Sequence, residues 1–147
     1  MVLNFEQHAI MTFQHVSNWN LKEKLLIYSN GKYLGKIQQP ILAHFKRILY
    51  VLNSNDEHVY TIYSPMLHPH YFYIEDLATK ECVAKIQRKW SDLGESSAGD
   101  DMFCFKFYAQ RIKNLGSMER SLIFASVFMV IQAYFEHSKK KKREKND

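Results

Sequence analysis

Apolar and polar residues alternate in short runs through the first three quarters of the chain, and turn-forming residues separate the runs. Alternation places every second side chain on one face of a strand. The pattern predicts strands over residues 9–15, 21–28, 33–39, 44–53, 58–63, 70–77, 81–90 and 102–108. Asn30-Gly31 marks a tight hairpin, because both residues tolerate positive φ. Pro40 and Ser64-Pro65 end strands, Asn53-Ser54-Asn55-Asp56 is a turn cluster, and Ala78-Thr79-Lys80 turns the chain again. Gly94, Ser96, Ser97 and Gly99 make 91–100 a loop. Phe103, Phe105 and Phe107 share one face of the last strand. About eight short strands at regular spacing predict an all-β sandwich or barrel.

The period then changes. Residues 118–137 hold no turn former and show no alternation. Between Arg120 and Glu136 only Ser121, Ser126 and Gln132 are polar. As a helix this segment is apolar on every side, which predicts burial all round. Its fifteen apolar-rich residues make about 22 Å of helix, short of the roughly 30 Å hydrocarbon core of a bilayer. The pattern therefore predicts a core helix inside the strands, with Leu122, Phe124, Phe128, Ile131, Gln132 and Phe135 as its central residues. A buried Gln132 amide must find a hydrogen-bond partner.

Composition supports a packed domain: 46% of residues are hydrophobic and 14% aromatic, too many for a disordered chain. The net charge of +5 is unevenly placed. Residues 139–147 hold six basic and two acidic groups, so the rest of the chain carries only +1. A nearly neutral body argues against a specific nucleic-acid-binding face. It leaves Lys139, Lys140, Lys141, Lys142, Arg143 and Lys145 as a basic, disordered-type tail able to hold to an anionic surface. Cys82 and Cys104 have no metal or redox spacing and read as reduced thiols of an intracellular protein. The first ten residues lack the basic start and apolar run of a secretory signal.

Catalytic signals are weak. His68-Pro69-His70 offers two imidazoles without a third ligand. Glu75, Asp76 and Glu81 surround a turn, where solvated carboxylates are ordinary. No nucleophile–base pair or phosphate loop stands out, so covalent catalysis is not expected.

Five segments taken in order resemble the phospholipid scramblases. Tyr33-Leu34-Gly35-Lys36-Ile37-Gln38-Gln39-Pro40 is similar to that family's Gly-then-Val/Ile-Gln strand. Residues 45–56 followed by Val59-Tyr60-Thr61-Ile62 and Ser64-Pro65 look like its next hairpin. Lys85-Ile86-Gln87-Arg88-Lys89-Trp90 resembles its Lys-Ile-x-Lys-x-Trp strand, and Asp101-Met102-Phe103 with Phe105 and Phe107 its Asp-x-Phe-x-Ile-x-Phe run. The helix ending Ala133-Tyr134-Phe135-Glu136 is similar to its apolar helix. The resemblance implies a tubby-like fold, a closed antiparallel barrel of about twelve strands threaded by the C-terminal helix. It covers roughly residues 9–136 and corresponds to the later two thirds of the family's domain, so a partial barrel is expected over 1–138, with the tail at 139–147.

The resemblance also implies a function: ATP-independent, calcium-triggered movement of phospholipids between leaflets, by an intracellular protein on the cytoplasmic face of a membrane, the plasma membrane first. Departures weaken parts of this. The family's acylated cysteine clusters fall near 11–20 and 66–69, where this chain has none. Its calcium segment aligns Asp101 but puts Gly99 where another Asp belongs, with Asp100 one place off. Asp100 and Asp101 are then a short ligand set for an ion that takes six to eight oxygens. Gln132 with a Ser121/Ser126 face would be the polar notches of a lipid path. The alternative is a lipid- or protein-binding module or structural subunit that kept the fold and lost the activity. Its open sheet edges would pair with a partner or a second copy.

Overall fold

A computed structural model describes residues 2–3, 9–17, 23–40, 47–89, 102–111 and 113–136. Among them nine strands form one antiparallel sheet: Val2–Leu3 (β1), Ala9–Ser17 (β2), Glu23–Ser29 (β3), Lys32–Gln38 (β4), Ile48–Asn53 (β5), His58–Tyr63 (β6), Tyr71–Asp76 (β7), Cys82–Lys89 (β8) and Met102–Phe107 (β9). Every strand pairs with its neighbours in sequence, so the sheet is a plain meander. It curls into a half-barrel around one C-terminal helix, Ser117–Ile131 (α1), which continues as a π-helical turn over Gln132–Glu136.

The alternation sets the curl. Leu25 and Ile27, Leu34 and Ile37, Leu49 and Val51, Tyr60 and Ile62, Phe72 and Ile74, and Ala84 and Ile86 all point to the concave side and are buried. The turns follow their residues. Asn30 and Gly31 both have positive φ, as a two-residue hairpin requires. Asn53 Oδ1 accepts the backbone N–H groups of Asn55 and Glu57, closing the β5–β6 turn. Asp76 Oδ1 accepts those of Ala78 and Thr79, closing the next hairpin.

The helix enters this trough with Leu122, Ile123, Ala125, Ser126, Met129 and Val130 buried against the strands. Its close approach depends on Gly35, in β4, whose φ of +153° is open to glycine alone. A Cβ there would sit 2.2 Å from the Leu52 carbonyl oxygen and 3.0 Å from the Leu122 side chain.

One expectation needs correction. The helix is not buried all round, since Phe124 and Phe128 are 36% and 38% exposed. The sheet is the partial barrel expected: among the described residues it stays open, with β1 and β9 as its two edges. The two features are linked: a trough covers the sides of the helix that face it and leaves the remaining stripe open.

Candidate functional site

One end of the half-barrel gathers unusual side chains, and the last helical turn organises it. The Tyr134 ring stacks on Phe72 at 5.2 Å. Phe135 meets Phe72 edge-on at 6.0 Å and lies 5.2 Å from Phe103. Two guanidinium groups cover these rings. Arg47 lies 5.6 Å from the centre of Tyr134, and Arg88 lies 4.7 Å from the centre of Phe135. Both place positive charge at the negative end of the helix dipole. Burial pushes the Tyr134 hydroxyl up to about 12, against the opposing pull of a hydrogen bond with Gln39 and of the Arg47 charge.

Arg47 also donates from Nη1 to the Pro69 carbonyl at 2.9 Å, tying the β6–β7 connection to the same end. At the tip of that connection Met66 and Leu67 are 95% and 87% exposed. A recess of about 610 Å³ beside them is lined by Arg47, Thr61, Tyr63, Pro65, Met66 and Glu75, among others. In the sequence, Lys139 follows three residues after Glu136. An exposed apolar tip and two arginines therefore share the end at which the described helix stops. Exposed apolar side chains flanked by cations are the general chemistry of lipid-interface contacts.

The second feature is the open side of the helix. Phe13 of β2 lies 4.8 Å from Phe128, Phe128 5.6 Å from Phe124, and Phe124 5.9 Å from Phe105 of β9. Phe105 in turn meets Phe107 at 4.6 Å. These rings bridge the opening from one flank of the sheet to the other. Beside them a groove of about 310 Å³ is lined by Phe13, His15, Leu25, Phe128, Ile131 and Gln132.

The central-helix residues thus divide. Leu122 and Phe135 are buried, Ile131 and Gln132 are half-buried, and Phe124 and Phe128 face out. Ser121 and Ser126 do not form a face: five residues apart, they point about 140° from one another. Their hydroxyls donate to their own helix, Ser121 to Ser117 O at 2.8 Å and Ser126 to Leu122 O at 3.2 Å. The proposed polar notches are therefore not a continuous strip.

The calcium candidates Asp100 and Asp101 lie outside the described residues, as do Lys139, Lys140, Lys141, Lys142, Arg143 and Lys145. Among the described residues no group of three or more His, Cys, Asp or Glu side chains is placed to hold a metal. The carboxylate of Asp76 is engaged by its turn, and His68 rests edge-on 6.1 Å from Tyr71. Cys82 and Cys104 are free thiols, and burial pushes the Cys82 thiol up.

Met66, Leu67, Arg47 and Arg88 were not picked out by the sequence pattern. The adjacent Met-Leu pair beside Pro65, in a loop with no apolar partner nearby in sequence, was the signal available. Compared with known proteins, the chain matches no protein-family model, no curated protein and no solved structure.

Proposed function

We propose that this chain is a phospholipid scramblase-like, membrane-associated protein that docks on an anionic leaflet. It rests there on the barrel end that holds Met66, Leu67, Arg47 and Arg88, helped by the basic sequence from Lys139 to Lys145, and passes phospholipids between leaflets without ATP or covalent chemistry. The observation that supports it is the pairing, at one end, of the exposed Met66–Leu67 tip with the Arg47 and Arg88 guanidinium groups. Each Lys or Arg near an anionic surface adds about 1 kcal/mol, so the basic segment alone holds a protein to a leaflet, and insertion of the tip fixes its orientation.

The second reading is a docked binding module that moves no lipid. It is favoured by the sealed faces of the helix: Leu122, Ile123, Met129 and Val130 are at most 2% exposed. The 19-residue stretch Ser117–Phe135 is apolar enough to cross a bilayer. To span one, it would first have to leave the trough that holds it.

Vesicle flotation followed by a leaflet-exchange assay with a labelled lipid, with and without calcium, separates the readings. Binding to phosphatidylserine vesicles should fall at least about ten-fold on Met66→Asp/Leu67→Asp and fall again with added salt. Exchange above a protein-free control supports lipid movement. Binding without exchange supports the module. Equal affinity of wild type and variant for neutral and anionic vesicles would refute the docking end.

A further inference from the structure

The two edges of the sheet are unlike. β1 is two residues long and its pairing with β2 is irregular. β9 is six residues long and pairs with β8 without a register shift. Natural edge strands are shortened, bulged, broken by proline or charged, most often with lysine, to prevent further pairing. β9 is neither short, bulged nor broken by proline, and its one protecting charge, Lys106, lies on the outer side, where an acidic partner would neutralise it.

The hydrogen-bond parity of β9 is fixed. Tyr108 N–H donates to the Val83 carbonyl at 3.0 Å, continuing the β8–β9 ladder. Bonded pairs in an antiparallel ladder recur every second residue. Hence Cys104 and Lys106, opposite Gln87 and Lys85, direct their backbone groups to β8. Phe103, Phe105 and Phe107 direct theirs away from it, and no other described strand pairs with that side. A strand added there would set the residues opposite these three on the concave side. They would cover the exposed stripe, because Phe105 already touches Phe124. The alternate residues would lie on the outer side, beside Lys106.

That outer side calls for acid. Lys106 stands directly opposite Lys85, a like-charge pair that is unfavourable across strands. Their ammonium groups lean on separate rings, Lys85 4.0 Å over Tyr71 and Lys106 5.7 Å over Tyr108. A carboxylate on a neighbouring strand would complete the row.

We infer that the β9 edge is a strand-addition site for an extended segment of a partner protein in which apolar residues alternate with acidic ones. Main-chain bonds to Phe103, Phe105 and Phe107 supply affinity. Apolar side chains over Phe124 and Phe128, and a carboxylate beside Lys106, supply selection. The edge starts beside the docking end, at Phe103, and runs away from it through Phe105 to Phe107, and the inference does not depend on the docking reading.

The test uses the full chain and two synthetic octapeptides, alternating Val-Glu and Val-Lys. The acidic peptide should bind at least about five-fold more tightly than the basic one, and Lys106→Glu should invert that order. Bound peptide should slow amide exchange at 103, 105 and 107 and leave 104 and 106 as they were. Phe105→Pro removes an outward N–H that β8 does not use, so it should abolish binding. Phe105→Ala, with the same loss of the ring, should retain it. The proposal is overturned if neither peptide binds up to about 1 mM, if both bind equally, or if Phe105→Pro and Phe105→Ala behave alike. It is also overturned if the peptide-free chain sediments as a dimer that Phe105→Pro dissolves, which would give the edge to a second copy.

Discussion

At the scale of single residues, Gly35 has the least freedom to change. It sits opposite Ile27 on one side and Asn53 on the other, with Leu122 of the helix above. Any side chain there meets a φ of +153°, a carbonyl 2.2 Å away and the helix at once. Backbone movement is the only relief, and it would separate β4 from β5 or lift the helix. Gly35→Ala should therefore destabilise the protein by at least about 3 kcal/mol, read from urea unfolding. A loss below about 1 kcal/mol would show that the helix is not seated on β4. Gly31, with positive φ but open space around it, marks the contrast: its role is conformational, and its surroundings tolerate a side chain.

Among the elements, the strands were legible and the helix only partly so. His58–Tyr63 follows its alternation to the residue, and the six-residue β9 differs from its expected span only at Tyr108. Strands announce both faces, because alternate positions differ in polarity. The helix announces none: with Phe124, Phe128, Met129 and Val130 equally apolar, composition cannot tell the sheathed side from the open one. That choice is made by where the sheet stops, a long-range property. β1 was missed because two residues are too few to carry a period. The division of the helix is measurable. Met129→Ala should cost about 2–5 kcal/mol, the range for a sealed core position, while Phe124→Ala should cost less than half as much in the same urea series. Equal losses would mean that the open side is covered in solution.

For the whole molecule, the two ends of the core are marked by tyrosines whose hydroxyls resist ionisation. Tyr60 lies near Asp76 and Glu119 at the helix start, and burial first, then those two charges, pushes it up to about 12. Tyr134 at the other end is also pushed up to about 12, chiefly by burial. A raised folded value means that the unfolded chain releases its proton first. Their contribution is thus intact below pH 10 and is lost as pH climbs from 10 to 12. Stability should fall across that window, and Tyr60→Phe should flatten the decline. A urea midpoint unchanged between pH 9 and 11.5 would contradict this. The docking end shows the limit of reading at this scale. The basic segment was visible in the sequence, whereas Met66 and Leu67 became meaningful only when Arg47 tied their loop to the helix terminus.

The wide turn over Gln132–Glu136 decides where the aromatic side of the molecule ends. In a uniform α-helix, a ring seven places after Phe128 would fall on the same outward line. Yet Phe135 is 5% exposed. One additional residue in that coil rolls it inward beneath Arg88, into the company of Phe72 and Phe103. Straightening that coil into regular α-helix at constant length would rotate Phe135 back toward water, leave Arg88 without its platform, and extend the greasy band to the end of the helix.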